Sequence, residues 1–183
     1  MTDAAVTDWL LDADPALRWQ VLRDLLDAPE EAWSAERIRV ETEGWGAWLL
    51  DLADADGQWA GAAFWPSGFT EEDWRREGQP WTATSFSLDL LREFGLAPDC
   101  PSARRAVALV GRNSRWEEGD QPFWEGEVEE CINARAVTTG VYFGVDMAPV
   151  VDRLVGEQLA DGGWNCERAR GSVRASFDTT INV

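Results

Sequence analysis

Apolar residues recur along this chain at helical spacing, with polar loops between the runs. Leu17, Val21, Leu22, Leu25 and Leu26 lie three and four apart behind Asp14-Pro15, an aspartate cap followed by a proline at the first helical position. The spacing predicts a helix with one apolar face, stopped at Pro29, and a short packing turn before it at Trp9, Leu10 and Leu11. A second helix is expected from about Glu30 to Asp54, burying Ile38, Trp45, Trp48, Leu49 and Leu52, with a kink or break at Gly44 and Gly46. The helices expected over Trp81 to Phe94 and Val128 to Phe143 are apolar around most of their circumference, so both should be buried. The helices opening at Pro101 and at Asp146 to Pro149 are amphipathic and should cover them.

This alternation repeats. LLDLADADGQW ends at Trp59, LVGRNSRW at Trp116 and LVGEQLADGGW at Trp164, and each is followed by another helical segment. Phe94-Gly95 and Phe143-Gly144 end matching buried helices, setting a period of about 48 residues. The expected fold is therefore all-α, an (α/α) toroid of repeated helical hairpins forming a single domain over residues 1–183. About three hairpins are present, so the toroid is expected to be partial, through C-terminal truncation, or to be completed by self-association as a homodimer. Residues 60–80 form the longest irregular stretch and carry Phe64, Trp65, Phe69 and Trp74, as expected of a functional or mobile loop.

Charge narrows the list of partners. Formal net charge is -18, every basic residue is arginine, and there is no histidine. Histidine-based acid–base catalysis is excluded within this chain, and the acidic field disfavours nucleic acid and anionic membranes while favouring a cation. No apolar run approaches the ~18 residues of a membrane span, and the acidic N-terminus does not read as a secretory signal. Three cysteines without such a signal suggest a reducing cytoplasm.

The turn formed by Gln158, Gly162, Gly163 and Trp164 is matched in part by Gly57-Gln58-Trp59 and weakly at Trp116. It resembles the QW-type repeat of the terpenoid cyclase and protein prenyltransferase toroids, including the bacterial squalene-cyclase-like proteins, over roughly residues 30–183. The resemblance implies a hydrophobic, isoprenoid-like ligand in an aromatic-lined axial pocket, with prenyl transfer or cyclisation as the chemistry of an enzyme. It also implies zinc at Glu129, Cys131 and Asp178, with Glu129-Glu130-Cys131 at the position of a D-x-C pair and Asp178 where that family has histidine. The D-x-D-D element of the cyclases has only Asp54-Ala55-Asp56 as its nearest string. Phe123 to Glu127 stand in place of the basic clamp for a diphosphate, and the carboxylates at 125, 127, 129 and 130 oppose an anionic substrate.

Candidate catalytic groups are Glu129, Glu130 and Asp178. Candidate pocket residues are Trp65, Trp81, Phe86, Trp124, Cys131, Asn133, Tyr142, Cys166 and Phe177. Trp59, Trp116 and Trp164 read as braces of the turns. Cys131 and Cys166 have no ligand spacing and read as a small buried side chain and a loop thiol. Residues 165–178 are expected to face residues 129–133. The alternative to an isoprenoid site is a non-catalytic binding protein for an apolar or cationic small molecule or peptide.

Overall fold

A computed structural model describes residues 4–183. The described chain is all-helical, with no strand beyond the isolated bridges Trp59–Ala62 and Arg115–Pro122. The longer helices are α1 (Ala4–Leu11), α2 (Pro15–Gln20), α3 (Glu30–Arg39), α4 (Gly44–Asp51), α5 (Glu71–Glu77), α6 (Thr84–Phe94), α7 (Pro101–Asn113), α8 (Glu130–Tyr142), α9 (Ala148–Gly156) and α10 (Phe177–Asn182). None of them is long and apolar enough to cross a membrane.

Asp14 organises the N-terminal part. One carboxylate oxygen accepts from Ala16 N at 2.9 Å and caps α2; the other accepts from Trp45 N at 2.8 Å and serves the first turn of α4. The long helix expected over residues 30–54 is thus two helices, broken over residues 40–43. Its expected apolar stripe is also corrected: Leu49 is buried, but Ile38, Trp45, Trp48 and Leu52 are each more than half exposed. Helical periodicity alone cannot tell a stripe facing the core from one facing outward. The first helix departs similarly. It widens into a π-helical turn over Val21–Leu25, closed by Leu26 N to Val21 O at 3.1 Å. The extra residue per turn carries Leu25 and Leu26 off the buried face that Val21 occupies.

The buried helices are α6 and α8, as their composition predicts. α4 packs beside α6, α6 beside α8, and α8 beside α10, so alternate helices form a row of neighbours. Asp89 joins two members of the row, accepting from Thr139 Oγ1 at 2.8 Å and Arg135 Nε at 3.0 Å. α9 packs on α8, while α7 turns Ala103, Ala106 and Val110 into the core and leaves Arg104 and Arg105 in solvent. Trp59, Trp116, Phe123, Leu88, Leu91 and Met147 fill the centre.

The repeat is visible atom by atom in two turns. Trp59 Nε1 donates to Leu49 O, and Trp164 Nε1 to Leu154 O, each at 2.7 Å. Their backbone N–H groups donate to Thr84 Oγ1 and Thr180 Oγ1 at 3.1 and 3.0 Å. Gly57 and Gly162 take matching left-handed conformations, with φ of 89° and 90°. The middle copy departs: Trp116 Nε1 bonds Phe123 O, and Trp124 Nε1 reaches α7 at Val107 O. The loop over residues 60–80 is less irregular than expected, because Thr70 and Asp73 form a capping box that starts α5.

Candidate ligand cleft and cysteine cluster

The first turn of α8 is held by a buried amide. Asn133 Oδ1 accepts from Glu127 N at 2.6 Å and Asn133 Nδ2 donates to Glu127 O at 2.8 Å, which folds residues 127–133 into a closed loop. This places Glu129 at the N-cap of α8, with Glu130 and Cys131 in the first turn.

A second segment docks on that turn. Asn165 Oδ1 accepts from Glu167 N at 2.9 Å and starts a 3₁₀ turn over Cys166–Arg170. Cys166 N donates to Thr179 Oγ1 of α10 at 3.2 Å. Arg168 Nε pairs with the fully buried Glu130 at 2.5 Å, and Arg168 Nη2 reaches Glu157 at 2.6 Å. These contacts bring the Sγ atoms of Cys131 and Cys166 to 2.7 Å. One donor atom each from Glu129, Cys131 and Cys166 lies within 4.8 Å of the others.

The three groups perturb one another. Burial, together with the negative charge of Cys166 and of Glu127, pushes the Glu129 carboxyl up to about 7. The hydrogen bond between the two sulfurs lowers Cys166, with further help from the Thr179 hydroxyl, and raises Cys131. Cys166 is therefore the more readily ionised thiol of the pair.

Opposite Glu129 stands the aromatic loop. Glu117 accepts from the backbone N–H of Phe64 at 3.0 Å and of Trp65 at 3.3 Å, fixing both rings over the acidic segment. The resulting cleft encloses about 320 Å³ between Phe64, Trp65 and Ile132 on its apolar side and Glu117, Glu118, Glu127 and Glu129 on its acidic side. Trp65 also walls a wider, more open groove of about 910 Å³ with Phe69, Trp74, Glu167 and Arg170. Trp65 and Phe69 stack there, with ring centroids 5.9 Å apart. Arg170 lies 3.9 Å from both Glu118 and Glu129, between the two openings. Aromatic faces opposite carboxylates suit an apolar group carrying a positive charge.

The expected site residues separate into two sets. Trp65, Glu129, Cys131 and Cys166 converge here, and Glu130 lies behind them as a buried ion-pair partner. Asp178 and Phe177 are exposed on α10, and Asp178 is not in the donor group. Trp81 and Phe86 border a different cleft, with Asp89, Leu90, Glu93 and Arg135; Phe86 is buried beneath Phe64 at 4.9 Å between centroids. Trp124 braces α7, and Asn133 closes the α8 loop. Tyr142 OH donates to Leu96 O at 2.8 Å and accepts from Arg37 at 3.0 Å, far along α8 from the cysteines. These side chains do not share one axial pocket. Sequence reasoning passed over Glu117, Glu118, Arg168 and Arg170. The signal for Glu117 and Glu118 was their position directly after Trp116, on the turn of the middle repeat. Comparison with known protein families, with curated proteins and with solved structures finds no match to this chain.

Proposed function

We propose that this protein binds an apolar molecule bearing a positive charge in the cleft between the aromatic loop and the first turn of α8. One observation carries this reading: Phe64 and Trp65 face Glu117, Glu118, Glu127 and Glu129, whose charge Arg170, 3.9 Å from Glu118 and Glu129, offsets only in part. The apolar part of the ligand, isoprenoid-like in length and character, extends along Trp65, Phe69 and Trp74. A prenyl diphosphate is disfavoured, because its charge would meet Glu117, Glu118 and Glu127, and Glu129 once ionised, against Arg170 alone. Loss of farnesylamine binding in both Trp65→Ala and Glu117→Ala, with helical content unchanged, supports the site; unchanged affinity in both refutes it.

The framework suits a helical-hairpin toroid, and the support is the row α4, α6, α8 and α10 with repeated tryptophan braces at Trp59 and Trp164. We place the homodimer contact on the exposed face of Ile38, Trp45, Trp48 and Leu52. The composition favours a reducing, cytoplasmic setting.

A catalytic reading draws on Glu129, whose raised carboxyl beside Cys166 has the protonation behaviour of a general acid. A product detected by mass spectrometry after incubation with farnesylamine or farnesol supports it, and quantitative recovery of both compounds contradicts it. Zinc fits less well. A carboxylate and two thiolates are suitable donor types, but two thiolates on one tetrahedral zinc stand about 3.8 Å apart for Zn–S bonds of ~2.3 Å. The two sulfurs here are at 2.7 Å, so they would have to separate.

A further inference from the structure

Two thiol sulfurs 2.7 Å apart sit well inside van der Waals contact, closer than zinc ligation allows and nearer to the ~2.05 Å of a covalent bond. The two sulfurs share a hydrogen bond but no covalent bond, and their segments are also held from outside the pair, by Arg168 on Glu130, by Asn165 capping its own turn, and by Thr179 receiving Cys166 N. The two residues belong to different elements, the first turn of α8 and the 3₁₀ turn Cys166–Arg170. Both are partly accessible, and neither is in a disulfide. Cys100, the third cysteine, is at the N-cap of α7 and has no sulfur partner.

We propose that Cys131 and Cys166 form a reversible dithiol–disulfide couple that exchanges with small organic disulfides. Cys166, whose sulfur accepts from Thr179 Oγ1 at 3.4 Å, is the attacking thiolate. It displaces one thiolate from the incoming disulfide and forms a mixed disulfide with the remaining half. Cys131 then loses its proton to solvent and attacks the Cys166 sulfur, releasing the second half as a thiolate. Two protein thiols are oxidised to one disulfide, and one small disulfide is reduced to two thiols, so atoms and electrons balance. Glu130 and Glu167 are paired with Arg168 and Arg170, so Glu129 beside the pair and the chain's net charge of -18 make the charge selection, favouring a cationic reagent such as cystamine over anionic glutathione disulfide. This couple stands independently of the ligand proposed for the cleft.

The test uses the full chain carrying Cys100→Ser, fully reduced and then exposed to cystamine or glutathione disulfide. Free thiols are counted, and intact mass and peptide maps are recorded. The couple predicts loss of both thiols, a Cys131–Cys166 cross-linked peptide, no retained adduct, and several-fold faster reaction with cystamine. In Cys131→Ser the mixed disulfide should accumulate on Cys166, while Cys166→Ser should react slowly. Circular dichroism checks that both variants fold. Two free thiols persisting, stable adducts on both sulfurs, or stoichiometric zinc that protects both from exchange would each overturn the proposal. Equal rates for the two reagents would overturn the charge selection.

Discussion

Glu117 holds the backbone of Trp65 at 3.3 Å, tying the aromatic loop to the acidic turn that follows Trp116. The same carboxylate takes both of its close contacts from Phe64 N, at 3.0 and 3.1 Å. The loop is therefore positioned by a side chain 52 residues away, and cleft shape depends on it. Glu117→Ala should free the loop and weaken ligand binding by about tenfold, which corresponds to the ~1.4 kcal/mol scale of a charge-assisted hydrogen bond. Faster amide exchange at Phe64 and Trp65, with the rest of the chain unchanged, is the expected readout.

Glu129 gives a pH signature with a definite sign. Its folded carboxyl is pushed up to about 7 from an ordinary 4.5. Between those values the unfolded chain releases a proton that the folded chain keeps, so stability falls as pH rises through that window and then levels off. Glu129→Gln should remove this component, leaving the variant more stable than wild type at pH 7.5 by about 1–2 kcal/mol after allowance for screening. Urea denaturation of both proteins at each end of the window measures the difference; equal slopes would contradict the account.

The two matching turn glycines should respond unequally to alanine. Both need left-handed φ, costing alanine about 1 kcal/mol. At Gly57 an added Cβ would also lie 2.3 Å from Leu109 Cβ, whereas Gly162 has nothing within 4 Å. Gly57→Ala is expected to cost about 2–3 kcal/mol and Gly162→Ala about 1. Thermal unfolding of the pair checks the order.

Tryptophan braces follow the same logic. Trp59 is buried, so Trp59→Phe removes the shorter of two donors to Leu49 O in a dry site, leaving Leu52 N at 3.3 Å, and should cost about 1.5–2 kcal/mol. Trp164 is only partly buried, and water can replace its bond to Leu154 O, so Trp164→Phe should cost about 1 kcal/mol.

The framework was legible because the turn motif recurs between helical runs; α8 carries only Glu130 and Arg135, whereas α6 keeps Asp89, Arg92 and Glu93 beside its buried Phe86, Leu88 and Leu91. Burial was less legible. Trp45 and Trp48 have core-like composition yet lie half exposed, and Leu25 and Leu26 leave the core through a π-helical turn that local spacing does not announce. At the site, Glu129 and Cys131 stood out through their resemblance to a D-x-C pair. Cys166 was recognisable as a loop thiol and pocket candidate on a segment expected to face residues 129–133, but its sulfur contact with Cys131 was not, because that depends on Arg168 reaching Glu130 across 38 residues. Trp81 and Phe86 looked like pocket residues on hydrophobicity alone, but the positive φ of Trp81, at 53°, and the burial of Phe86 beneath Phe64 send them elsewhere.

The most direct measurement is calorimetric titration of the full chain with three ligands sharing one isoprenoid chain: farnesylamine, farnesol and farnesyl diphosphate. The account predicts affinity in that order, with farnesylamine at least tenfold tighter than farnesol and its affinity rising as pH passes through about 7, where Glu129 ionises. Tightest binding of farnesyl diphosphate, or equal affinity for all three, would contradict the assignment of the cleft to a cationic, apolar ligand.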